Sequence, residues 1–231
     1  MNEEKRMADL PRIALAGPKG GGKTWVLNAI AKKLDIDLQG LKLVKNPPNI
    51  SSIAFADPIY DIQSVLFNFG SQELIPGRIF NEAIKEQGLD NTINRFLGVT
   101  PRGFRQQFGT EFARNTMDPD IWVNIMKNKV DHLSTQPSAG LIIMDTRFPN
   151  ELEYCKRAQF MICYVNTMGV EETGSHASES HNLKVKEQAD ILTSDEGSAQ
   201  NMVNIIAGML YTYLDTYYTT SGLILPKGKL N

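Results

Sequence analysis

The sequence predicts an α/β fold: a mainly parallel sheet with helices on both faces. Three observations carry this. Short apolar runs that end in Gly or Asp recur along the chain, as in IALAG (13–17), SSIAFAD (51–57) and GLIIMD (140–145). Segments with helical spacing separate them, the alternation expected of parallel strands joined by crossover helices. A helix-rich stretch from about 70 to 135 holds no clear strand and reads as a lobe inserted between the second and third strands.

The elements follow in order. Residues 1–10 are a polar leader. IALAG is a short buried strand. Trp25, Ile30 and Leu34 recur at roughly helical spacing, so a helix covers 22–34. Residues 35–50, with two prolines, form a loop. SSIAFA is the second strand, stopped by Asp57-Pro58, and IYDIQSVLFNF is a helix. Residues 70–98 hold one helix and a polar connection. Thr100 is placed as an N-cap with Pro101 at the first helical position of 101–115. DPDIWVNIMKNKVDHL repeats that logic. GLIIMD is the third strand, NELEYCKRA a helix, FMICYVN a strand, MGVEETGSHASESHN a polar loop and ADILTS a last strand. GSAQNMVNIIAGMLYTYL closes the domain, with the tail from Asp215 on the surface. One domain of 231 residues is expected, with a core at about 11–69 and 138–215 and a helical acceptor lobe at about 70–137.

Bulk properties narrow the function. With 42% hydrophobic and 22% charged residues the chain is ordinary globular protein. A net charge of −2 implies no broad basic surface, so no direct nucleic-acid partner is expected. No apolar run approaches membrane-spanning length, and no membrane partner is expected. Cys155 and Cys163 form no metal-type pair, and a reduced cytoplasmic protein is the simplest reading.

Gly17-Pro18-Lys19-Gly20-Gly21-Gly22-Lys23-Thr24 is a full G-x-x-x-x-G-K-[ST] match, with a strand before it and a helix after it. Glycines let the backbone curl until its N–H groups face phosphates, and the following helix points its positive end there. ATP is the expected ligand. Gly17, Lys19, Gly20, Gly21 and Gly22 would form the cradle, Lys23 would reach the β- and γ-phosphates, and Thr24 would hold Mg²⁺. The fold is therefore a three-layer P-loop NTPase fold. A partition-type ATPase is a weaker alternative. Its signature lysine would fall on Pro18, and Asp35–Gly40, which looks like that family's D-x-D-x-Q-G, follows a helix rather than a strand.

Acceptor residues are sought beyond the strands' carboxyl ends. Asp57 follows SSIAFA. Asp145 follows LIIM, where a carboxylate could meet Mg²⁺ or simply cap a helix. Arg147, two residues on, could touch a transferring phosphoryl group. Phe104, Phe108 and Phe112 form one stripe, read as core. Arg102 and Arg105 flank it on one side, Gln107, Glu111 and Arg114 on the other, and Gly109 could bend the helix. Trp122 is equally well a base-stacking or a core residue. No Ser-His-Asp or Cys-His constellation stands out, and a monophosphate acceptor needs none, because it is largely dianionic at neutral pH.

Several segments together resemble one family: GPKGGGKT, FADP (55–58), TPRGFRQQFGTEFAR (100–114), DPDIWV (118–123), MDTRFPNE (144–151) and HASE (176–179). They look like the bacteriophage-type deoxynucleoside monophosphate kinases, in order and rough spacing from residue 12 to about 180. The resemblance implies Mg·ATP as donor, a deoxynucleoside 5′-monophosphate as acceptor and a diphosphate product for DNA synthesis. A phage origin would place the enzyme in the host cytoplasm. Lys23, Asp145 and Arg147 become the catalytic set, with Thr24 and Asp145 toward the metal. Asp57, Arg102, Arg105, Gln107, Arg114, Trp122, Arg147 and Glu151 become the acceptor set. A lid is expected at about 167–182. The family often carries a basic residue after the strand matching FMICYV, whereas this chain has Asn166 and Thr167. Another small-molecule kinase, similar to phosphomevalonate kinases in its D-T-R segment, is the nearest alternative. Base specificity and oligomeric state, a homodimer included, stay open.

Overall fold

The computed structural model describes residues 10–34, 49–68, 75–136, 138–170 and 181–220. The first half of the chain supplies β1 (Arg12–Ala16), α1 (Lys23–Leu34), β2 (Asn49–Ile53), α2 (Asp57–Phe67) and α3 (Gly77–Glu86). A 3₁₀ turn at Leu89–Asn91 leads to α4 (Pro101–Gln106), which opens into π-helical winding over Gln107–Met117. Then come α5 (Ile121–Ser134), β3 (Ser138–Thr146), α6 (Pro149–Arg157), β4 (Met161–Val165), α7 (Asn182–Glu187), β5 (Ile191–Thr193) and α8 (Glu196–Thr220). The chain forms two compact units, Met1–Ala54 with Lys127–Asn231, and Phe55–Met126.

The first unit is built on a five-stranded parallel sheet in the order β2-β3-β1-β4-β5. Parallel strands need crossovers, and burial on both faces explains why the inner strands β1 and β4 and the middle of β3 are nearly all apolar, whereas the edge strand β2 carries Ser51 and Ser52. Ile13, Leu15, Ile50, Ile142, Cys163 and Val165 share one core cluster with Val26 and Ile30 of α1 and Met202, Ile206 and Leu210 of α8. On β3, Thr146 bonds Cys155 of α6 across 3.7 Å, and Lys186 of α7 lies over the ring of Tyr164 on β4. The predicted parallel sheet with helices around it is therefore observed.

One irregularity shapes the site. Ala14 pairs with Ile143 and Ala16 with Thr146, so Met144 and Asp145 together oppose Leu15. A bulge of this kind breaks the period-two alternation and re-aims the side chains at the strand's carboxyl end.

The second unit is helical. Thr100 caps α4 as predicted, its hydroxyl accepting from Gly103 N at 2.9 Å. Flanks assigned on α-helical spacing do not extend beyond Gln106. Winding of about 4.4 residues per turn replaces 3.6, so Gln107, Glu111 and Arg114 no longer form an α-helical row. The phenylalanines still align, because four residues nearly complete a π turn. Phe104 and Phe108 stack at 5.4 Å, and Phe108 and Phe112 at 5.7 Å. Phe112 is half exposed, so the stripe is not wholly core. Gly77 lets α3 approach α2 closely: a Cβ there would meet the Tyr60–Asp61 backbone at 2.4 Å. Two differences from the sequence expectation are local. β2 ends at Ile53, with Phe55-Ala56 already turning, and α8 continues through Asp215 to Thr220.

Candidate active site

Three adjacent strands, β3, β1 and β4, end on the same edge of the first unit. The carboxyl edge of such a sheet, where strand order reverses about β1, is where ligands of α/β proteins bind. β1 leads into the glycine loop, β3 delivers Asp145 and Arg147, and β4 leads into a turn at 166–170.

The loop adopts the curl its composition predicts. Gly17, Gly20 and Gly22 have φ of 126°, 81° and 100°, a region that favours glycine. Gly21 N donates to Pro18 O at 3.1 Å, and Val26 N to Gly22 O at 3.0 Å, so the loop runs directly into α1. A Cβ on Gly17 would lie 2.1 Å from the Val165 carbonyl oxygen, so no other residue fits there.

Lys23 folds back over the loop. Its Nζ donates to Gly17 O and to Pro18 O, both at 2.7 Å. Burial first, and the nearby Arg147 guanidinium second, lower its pKa from the ordinary 10.5 to about 7, while Asp145 opposes the shift. Lys23 in its charged form and Arg147 thus repel each other in a poorly solvated place with one carboxylate nearby. An anion placed there would relieve both the desolvation and the repulsion. Arg147 Nε is buried and has no hydrogen-bond partner among the described residues, a further donor suited to an anion.

Glu151, named above for the acceptor set, makes backbone contacts at the start of α6. It is 1% exposed, and its Oε2 accepts from Arg147 N at 2.8 Å and Phe148 N at 3.0 Å. The carboxylate satisfies two amides at the start of α6 and holds the backbone of Arg147. Asp145 is partly buried at the bulge, and Thr24 is exposed on the first turn of α1. No group of three or more His, Cys, Asp or Glu gathers among the described residues. Mg²⁺ bound with nucleotide phosphates needs only one or two protein groups, because phosphates and water complete its shell. The Thr24 hydroxyl and the Asp145 carboxylate fit that pattern in type.

The expected acceptor residues in the second unit fall into separate clusters. Asp57 begins α2 and pairs bidentately with Arg78 of α3, Oδ1 with Nε at 2.5 Å and Oδ2 with Nη2 at 2.9 Å. Arg105 donates to Asp90 Oδ1 at 2.5 Å and Gln63 Oε1 at 3.1 Å. Trp122 is buried, and its indole N–H donates to Gly109 O at 2.8 Å, which favours the core role over base stacking. Arg114 turns Nε and Nη1 inward, Arg102 is half-buried and Gln107 exposed. Arg78, Asp90 and Gln63 were not singled out from the sequence. Their partners lie 15 to 42 residues away, and nothing local marks them.

The family model for deoxynucleotide monophosphate kinase matches residues 51–206. The chain belongs to the deoxynucleotide monophosphate kinase family. That match lies wholly after the glycine loop, so motif and family are independent lines of evidence. A protein of Acanthamoeba polyphaga mimivirus, provisionally named a deoxynucleotide monophosphate kinase, is 24% identical over 192 residues, 80% of this chain and 88% of that protein. The family's name is that of kinases acting on deoxynucleotide monophosphates. The HASE motif and most of the expected lid, 171–180, lie outside the described residues, as does 35–40. Among the described residues no helix is long and apolar enough to cross a membrane.

Proposed function

We propose that this kinase transfers the γ-phosphoryl group of Mg·ATP to a deoxynucleoside 5′-monophosphate, giving the diphosphate. The observation that carries the reading is Lys23, Asp145 and Arg147 around a glycine loop, in a chain of this family. The loop's backbone and Lys23 bind the donor's phosphates. On binding, Lys23 exchanges its contacts with Gly17 O and Pro18 O for phosphate oxygens. Arg147, held at its backbone by Glu151, orients toward the transferring group and balances the charge that develops there. Thr24 and Asp145 would hold Mg²⁺, which would supply charge neutralisation when bound. The helical unit recognises the acceptor, with Arg105 and Asp57 prearranged by Asp90, Gln63 and Arg78. A dianionic monophosphate is itself the nucleophile, so positioning suffices and no general base is required.

The test is a coupled assay with ATP and a panel of the four dNMPs and four NMPs, reading kcat/KM for each. Turnover of at least one dNMP above every NMP is expected. Transfer to no monophosphate, with ATP bound, would refute the reading and leave a nucleotide switch.

A further inference from the structure

Among the described residues, the segment Val165–Val170 packs against the glycine loop. A Cβ on Gly21 would lie 2.6 Å from Val165 O, the same atom that excludes a side chain at Gly17. A Cβ on Gly22 would lie 2.5 Å from Thr167 Oγ1, and the nearest atom to one on Gly20 is Val170 Cγ2, at 3.9 Å. Thr167 is also bonded to the loop, donating from its amide at 3.0 Å and its hydroxyl at 3.3 Å to one acceptor, Gly21 O. The segment is itself pinned. Asn166 Oδ1 accepts from Val170 N at 2.9 Å, and its Nδ2 donates to Val170 O at 3.0 Å. Asn166 N donates to Thr193 Oγ1 on β5 at 3.3 Å.

A trans peptide is planar, so its C=O and N–H point in opposite directions. Pinning Gly21 O to Thr167 on one side therefore turns the N–H of Gly22 toward the other. Glycines on both sides of that peptide would otherwise let it rotate at little cost. We propose that Thr167 is a positioning residue for phosphate recognition, acting through the Gly21–Gly22 peptide to aim the Gly22 N–H at the bound nucleotide. The proposal rests on the reading that this loop holds nucleotide phosphates. It also assigns a task to the uncharged pair Asn166-Thr167: one residue fixes the turn, the other fixes the loop.

The test uses Thr167→Val, which exchanges the hydroxyl for a methyl, and Thr167→Ser, which keeps the hydroxyl and loses the methyl. Thr167→Ala replaces the valine variant if the second methyl beside Gly22 impairs folding. Affinity for Mg·ADP is measured by calorimetry, with kcat and both KM values from the coupled assay. Losing one hydrogen bond predicts an ADP affinity weaker by about fivefold and a similar fall in kcat. The KM for the dNMP stays within twofold, and the serine variant matches wild type. The proposal is overturned if the valine or alanine variant binds ADP like wild type, or if the serine variant is equally impaired. It is also overturned if the dNMP KM moves by the same factor. Wild-type protein that binds ADP yet phosphorylates no dNMP refutes the acceptor reading instead, and the ADP measurements still decide the brace.

Discussion

Glu151→Ala and Glu151→Gln separate a supporting carboxylate from a substrate-binding one. Oε2 alone accepts from both Arg147 N and Phe148 N, in a side chain 1% exposed. Hydrogen bonds to a charged group contribute about 1.5–3 kcal/mol each and neutral ones about 1, so the glutamine variant, whose carbonyl oxygen can still accept both, loses roughly 1–4 kcal/mol. The alanine variant leaves two part-buried amides without that acceptor, at about 1–3 kcal/mol each, and forfeits the favourable charge at a helix N-terminus, for roughly 2–7 kcal/mol in all. Urea denaturation at neutral pH measures both. Because the amide of Arg147 is one of the two, kcat should fall by about tenfold in the alanine variant while the dNMP KM stays within twofold. Equal destabilisation by alanine and glutamine would refute the reasoning. So would a glutamine variant of normal stability whose dNMP KM rises tenfold, which would return Glu151 to the acceptor.

Three further outcomes are expected. Lys23→Ala should fold normally and lose about 10²-fold in kcat, the usual loss of one preorganised charge contact; near-normal turnover would sink the mechanism. Lys23, with its pKa near 7 in the free protein, should regain a proton when phosphates bind. Nucleotide affinity should therefore fall as pH rises above 7, with proton uptake visible in calorimetry repeated across buffers of different ionisation enthalpy. The sign for stability is opposite: the folded state binds fewer protons than the unfolded chain between about 7 and 10.5, so this group makes the nucleotide-free protein more stable as pH rises through that window. A Kd independent of pH from 7.5 to 9, with no proton uptake, would contradict this. Gly109→Ala should cost only about 1–2 kcal/mol, because its Cβ would meet Ile59 Cδ1 at 2.7 Å, the movable end of a side chain. A loss of folding would show that the π winding itself demands glycine.

What was legible in the sequence follows from local physics. Buried parallel strands must be apolar on both faces, so IALAG and GLIIMD could be read directly. A phosphate loop needs glycine, lysine and a hydroxyl at fixed spacing, so Lys23 and Thr24 could be named. Thr100 as a cap needs only its own turn. Where a task depends on chain distant in sequence, local patterns carry no signal. Glu151 is different: the amides it braces lie only three and four residues back, but with Phe148 rather than Ser or Thr at the cap the turn lacks the usual capping signature. Arg105 reads as an acceptor-binding cation, and nothing in its own segment shows that Asp90 and Gln63 hold it. The change from α to π winding at Gln107 shifts every flank assigned by 3.6-residue spacing, and the bulge at Met144–Asp145 is decided by pairing with β1.

The chain's own residues thus marked out a glycine loop suited to an anion after the first strand, and they determined that the fold is a parallel α/β sheet. Tertiary structure decided what steadies that site. Thr167 lies 146 residues from Gly21, and only the placement of β4 beside β1 in the sheet brings them together. Glycines allow a phosphate loop to form, but they also leave its peptides free to turn, and the constraint on that freedom comes from the turn that follows a neighbouring strand.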